Sequence, residues 1–126
     1  MPAESPEACD ELYARHLNTR HFDSLVALYE PDGSNVRHDG TAAHGHFALR
    51  QDLRQFAATE PELHVRVKKI VLVGQDLAVI YDHWTLFTNG PGSVRMQTNG
   101  KSVHVVRRQA EGGWLFAVTG LTNSAW

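Results

Sequence analysis

Cysteine is nearly absent from this chain: Cys9 is the only one in 126 residues. That excludes an internal disulfide and any zinc site built from several thiolates. On the apolar stripe of a first helix, Cys9 is expected to be a small buried hydrophobe. Basic blocks are missing too. The formal net charge is −2, and no run of Lys or Arg supplies the electrostatic footprint of a nucleic-acid partner. No apolar stretch approaches the roughly 20 residues that span a bilayer. Met1 to Glu7 has neither the basic start nor the apolar centre of a signal peptide. The expectation is a cytoplasmic protein with no nucleic-acid partner, no membrane partner and no cofactor. What remains, 42% hydrophobic and 21% charged, suits one domain over residues 1–126 that buries a core without staples.

Helical periodicity comes first along the chain. Ser5-Pro6 is a helix start, a capping hydroxyl followed by proline at the first helical position. Cys9, Leu12, Tyr13, His16 and Leu17 then recur at three- and four-residue steps on one face. A second helix is expected to carry Phe22, Leu25, Val26 and Tyr29 and to end at Pro31-Asp32-Gly33. A short strand over Ser34 to Asp39 and a loop over Gly40 to Gly45 precede a third helix with Leu49, Leu53, Phe56 and Ala57 on its stripe. Thr59-Glu60-Pro61 closes it.

From there the period is that of strands. Leu63 to Val73 turns at Gly74-Gln75-Asp76 into Leu77 to Thr88, which turns at Asn89 to Gly92. Val94 to Gln109 follows, with a bulge expected near Thr98-Asn99-Gly100, and Trp114 to Thr122 is last. The segment from Gly100 to Thr119 forms one long hairpin about Ala110-Glu-Gly-Gly113. With its turn near residues 111 and 112, His104 faces Thr119 on one side of the sheet. Helices followed by antiparallel hairpins predict an α+β domain.

Several segments carry a family resemblance. Phe22 to Gly33, Gly45 opening the third helix, Asp76-Leu-Ala-Val79 with Trp84-Thr85, and Gly100-Lys-Ser to Arg107-Arg-Gln with Gly113-Trp114 resemble the SnoaL-like branch of the nuclear-transport-factor-2-like superfamily. The likeness covers residues 10 to 123. Ketosteroid isomerases, scytalone dehydratases and limonene epoxide hydrolases belong to the same superfamily. The resemblance implies three N-terminal helices packed on a strongly curved, mostly antiparallel sheet, a cone-shaped pocket inside, and a homodimer formed through the sheet. It does not imply one reaction, because isomerases, dehydratases, cyclases and members without known activity share this fold. The sequence also departs from the family pattern. His104, Thr119 and His83 stand where related sequences often carry acids or an Asp-Asn pair, so no carboxylate role carries over at these positions.

Among eight histidines, His16, His21 and His64 fall at helix ends or on a solvated strand face. With the strands paired about Asn89 to Gly92, Tyr81, His83, Thr85, Thr98, His104 and Thr119 share a sheet face. A few polar groups in an apolar wall suit a ligand pocket. The opposite face then holds Trp84, Leu86, Val103, Val105, Trp114, Phe116 and Val118. His83 and His104 are the candidate acid–base pair, with Tyr13 as a phenolic donor to a developing oxyanion and Asp39 as a further catalytic carboxylate or a turn residue. His38, Tyr81, Thr85, Thr98, Thr119 and Phe56 are candidate ligand contacts. A rival use of the histidines is a metal site from His44 and His46 with His83 or His104, but the spacing is not diagnostic and no metal is expected.

The function expected is binding of a small, mostly apolar organic molecule, with cofactor-independent isomerisation, dehydration or cyclisation as the catalytic form. The alternatives are a non-catalytic ligand carrier and a dimerising accessory domain whose cone is filled by Trp and Phe.

Overall fold

The computed structural model describes residues 2–125, with side chains as far as residue 121. The chain begins as its local signals direct. Ser5 caps α1 (Pro6–Asn18), its hydroxyl accepting the Ala8 N–H at 3.2 Å; one such cap contributes about 1 kcal/mol. Thr19 closes the helix, its N–H and hydroxyl both donating to the Arg15 carbonyl. Cys9 and Leu17 are buried on the face turned to the sheet.

The second helix is shorter than its periodicity suggests. α2 spans only Phe22–Val26, and Tyr29 already opens β1 (Tyr29–Val36). Tertiary pairing overrides the helical pattern, because the Phe116 N–H donates to the Leu28 carbonyl at 2.7 Å and draws the chain into the sheet. Pro31 sits where the ladder slips, between Tyr29 opposite Phe116 and Ser34 opposite Val118. Proline has no N–H for a regular ladder and is tolerated at such an irregularity. β2 (Ala42–His44) and α3 (Gly45–Ala57) follow, so the third helix lies after two strands rather than before the sheet.

β3 (Glu62–Val73), β4 (Leu77–Asn89), β5 (Arg95–Arg108) and β6 (Trp114–Ala125) complete a six-stranded open sheet of order β2-β1-β6-β5-β4-β3. Every pairing is antiparallel except that of β1 with β6. The fold is α+β, with α1 lying on β3 and α3 on β1.

Register decides which side chains meet the helices. β4 and β5 pair without a break from Leu77 opposite Arg107 to Asn89 opposite Arg95. No bulge interrupts them at Thr98 to Gly100. Their connection is a 3-10 turn over Pro91–Ser93, with Gly92 and Ser93 both at positive φ, and the pairs centre on Gly92. This differs from the expected register by an odd number of residues, and an odd slip turns every side chain over. Asp82, Trp84 and Leu86 therefore share the inner face with Thr98, Ser102 and His104. Tyr81, His83 and Thr85 share the outer face with Val103 and Val105.

Opposite β5, the extra residues lie in β6. Val105 faces Val118 and Val103 faces Thr122, so β6 carries extra residues around Thr119–Leu121. There Gly120 takes φ 73.

Candidate active site

Between the inner sheet face, α1 and α3 lies a cavity of about 560 Å³. It is not filled by Trp and Phe, as a purely scaffolding cone requires. Leu49, Leu53 and Phe56 from α3 and Leu63, Trp84 and Phe116 from the sheet form much of its apolar wall. At the rim, Arg37 makes a two-pronged pair with Asp52, Nε to Oδ2 at 2.8 Å and Nη2 to Oδ1 at 3.1 Å. His38 stands beside it.

Polar groups gather deep in the cavity. Asp10 on α1 and Asp82 on β4 are each 2% exposed. Together with His104 on β5 they place donor atoms within 4.8 Å of one another. The His104 ring has a defined orientation. Its Nδ1 accepts the Gly120 N–H at 3.0 Å, so the ring proton sits on Nε2 and is donated to Asp82 Oδ2 at 3.0 Å. The Phe116 ring meets the imidazole edge-on, with centroids 5.8 Å apart.

The two carboxyls have different environments. Burial first, and then the hydrogen bond and charge of Asp82, push Asp10 up to about 10, so it keeps its proton at neutral pH. Burial also works against charge on Asp82, but hydrogen bonds from His104, Asp10 and the Ser102 backbone hold it below the usual carboxylate range. Counted as two anions, Asp10 Oδ2 and Asp82 Oδ1 have no hydrogen-bond partner among the described residues. One proton held by Asp10 satisfies both.

A second network adjoins the first. Thr119 donates to Asn35 Oδ1 at 2.8 Å, so the Tyr29 hydroxyl, 2.6 Å from the Thr119 oxygen, is the donor in that bond. The Tyr13 hydroxyl meets that of Tyr29. Burial is the main cause raising both phenols, Tyr13 to about 12. Both stay protonated as hydrogen-bond donors.

Of the residues singled out from sequence, His104, Tyr13, Thr119, His38 and Phe56 line the cavity. His83 does not. It lies on the outer face, where local desolvation and then Lys68, Lys101 and Arg66 depress its proton affinity, so His83 and His104 form no pair. Tyr81 is 42% exposed on that outer face, and Thr85 there donates to Asn99. Thr98 has the inner parity but is not part of the lining. Asp39 is a turn residue, accepting the Thr41 N–H and hydroxyl. His44 is engaged by Ser34 and His46 by the Tyr29 carbonyl, and neither lies in a candidate metal cluster among the described residues.

Asp10 and Asp82, the two central carboxyls, escaped the sequence reading. Their signals exist. Asp10, Tyr13 and Leu17 step along one helix face, and Asp82 alternates with Ile80 and Trp84 on an apolar strand.

The spacing of Asp10, Asp82 and His104 admits a cation, but the hydrogen bonding of the His104 ring stands against one. A metal on Nε2 would move the ring proton to Nδ1, against the Gly120 N–H that points there.

The fold and cavity define a nuclear-transport-factor-2-like domain. The profile of the SnoaL-like domain matches residues 10–116, and the chain belongs to that family. A ketosteroid isomerase-like protein from Erwinia carotovora atroseptica superposes with TM-score 0.81 at 20% identity, covering 94% of this chain and 92% of that one. A protein provisionally named scytalone dehydratase, from Novosphingobium aromaticivorans, gives 0.78 at 18%, covering 95% and 84%. An NTF2-like protein with a cystatin-like fold from the same organism gives 0.74 at 17%, covering 93% and 77%. No curated protein matches the sequence significantly. No helix among the described residues is long and apolar enough to cross a membrane.

Proposed function

We propose that the chain binds a small, uncharged, mostly apolar organic molecule in the cavity and moves protons on it without a cofactor. The observation that carries this reading is the buried carboxyl pair, with Asp10 protonated and Asp82 ionised. Two titratable groups driven apart by their surroundings assign an acid and a base. Asp82 takes a proton from a carbon next to a carbonyl, or from the carbon adjacent to the one that bears a leaving hydroxyl. Asp10 delivers its proton to the carbonyl oxygen, or to the hydroxyl as it departs as water. In dehydration the proton gained by Asp82 then returns to Asp10 across the facing oxygens; in isomerisation Asp82 returns its proton to a different carbon of the enol, and Asp10 recovers its own from the enol oxygen. Isomerisation and dehydration both fit this cycle. The names of the Erwinia and Novosphingobium structures are of those two reaction classes.

The test uses cyclic ketones and β-hydroxy ketones in deuterated water, with deuterium incorporation and water loss read by mass spectrometry. Asp82→Asn and Asp10→Asn are expected to lose about 10²-fold or more of the rate. Full rates in both variants would sink the reading, and retained ligand binding with no chemistry in the parent would make the protein a carrier.

We also propose pairing of two copies through the outer sheet face. Val71, Val79, Val105 and Val118 are successive register partners across four strands, an apolar row beside the exposed Tyr81. Sedimentation of Val79→Lys as a monomer, with the parent sedimenting as a dimer, is the supporting result.

A further inference from the structure

We infer that Gly120 locks the His104 imidazole in its Nε2–H form, which makes His104 a positioning residue that directs its one donor at Asp82 and leaves the mobile proton with Asp10. The lock is built from backbone. The extra residues of β6 between the Val105–Val118 and Val103–Thr122 pairs turn the Gly120 N–H out of the ladder and onto Nδ1. Only glycine serves there. Its φ is 73, and a Cβ would stand 2.8 Å from the Val36 carbonyl oxygen of β1. On the other side of the ring, Nε2 has the Asp82 carboxylate in front of it, Asp10 lies behind that, and Phe116 covers the imidazole edge. With both nitrogens engaged, the ring has no position left for substrate. Its contribution passes through Asp82, whose Oδ2 it occupies, so that the remaining oxygen faces Asp10.

The functional meaning of the lock rests on the acid–base reading proposed above, whereas the lock itself is testable on the ligand-free chain. In the full-length protein with ¹⁵N-labelled histidine, long-range proton–nitrogen NMR at neutral pH is expected to show His104 with a bare Nδ1 and a protonated Nε2. A protonated Nδ1, alone or with Nε2, would overturn the lock. Two variants separate the roles of the nitrogens without disturbing the glycine. Gln at 104 keeps a donor where Nε2 stands, and Asn keeps an acceptor where Nδ1 stands. The ¹³C carboxyl titration of Asp82 is expected to stay low in His104→Gln and to move up in His104→Asn. The reverse order would overturn the positioning role, whereas a purely structural role would move both alike. The expected NMR pattern with no proton exchange on any ketone would remove the catalytic reading and leave the lock standing. Exchange that depends on Asp82 in a protein with the other tautomer would do the opposite.

Discussion

Asp10 and Asp82 come from a helix and a strand far apart in the sequence, yet their carboxyl oxygens lie within 4.8 Å of each other. Two buried anions at that separation repel strongly, since little water is present to screen them. A single proton between them removes the conflict, and the hydrogen bonds that His104 and the Ser102 backbone give to Asp82 leave it with Asp10. The acid and the base thus arise from one electrostatic arrangement.

That arrangement has a signature in stability. Asp10 is raised from 3.8 to about 10 in the folded chain, so between those values the folded state holds a proton that the unfolded state has released. Stability contributed by this group then falls as pH rises through that window. Asp10→Asn cannot titrate and its amide still donates to Asp82, so its thermal midpoint is expected to exceed that of the parent increasingly from about pH 5 to about pH 9. A constant or reversed gap across that range would mean that Asp10 is ionised in the folded protein.

Gly100 is the strand position on which the Trp84 ring rests. A Cβ there would lie 2.1 Å from Trp84 Cζ2 and 2.4 Å from Cε2, so Gly100→Ala must drive the indole from its place in the cavity wall. A loss of about 1–3 kcal/mol in urea unfolding is expected, the usual cost of overpacking, together with a changed near-ultraviolet circular dichroism band. Unchanged stability and spectrum would show that the ring is not held as described.

Tyr29 and Thr119 form a buried hydroxyl pair, 2.6 Å apart. Tyr29→Phe and Thr119→Val are each expected to cost about 0.5–1.5 kcal/mol. The double variant should cost less than the sum, because the second change removes a partner already orphaned. Strict additivity in denaturant titrations of the four proteins would exclude the bond.

Local signals were legible in the sequence and long-range ones were not. Ser5-Pro6 marks the start of α1, and Gly74 to Asp76 marks the β3–β4 turn, because caps and turns depend on a few adjacent residues. Tyr29 misleads, since its spacing from Phe22, Leu25 and Val26 suits a helix until β6 is there to pair with it. The face of His83 hinged on the turn over Pro91–Ser93, where Ser93 takes φ 60, a conformation its side chain does not announce. His104 and Thr119 both line the cavity, but the extra residues of β6 break the direct pairing that a regular hairpin about residues 111 and 112 predicts. Asp10 and Asp82 meet only through the packing of α1 on the sheet, and no spacing along the chain encodes that.

The unbroken β4–β5 register has a consequence for how such a protein can change. Two messages are interleaved along the same strands, one in the even positions and one in the odd. Asp82, Trp84, Ser102 and His104 line the inner chamber, while Tyr81, His83, Lys101 and Val103 belong to the outer wall. Neighbours in sequence such as Asp82 and His83 can therefore be rewritten separately, altering the chamber without touching the wall. Lengthening or shortening the turn at Gly92 by one residue would set the chamber positions of β5 beside the wall positions of β4.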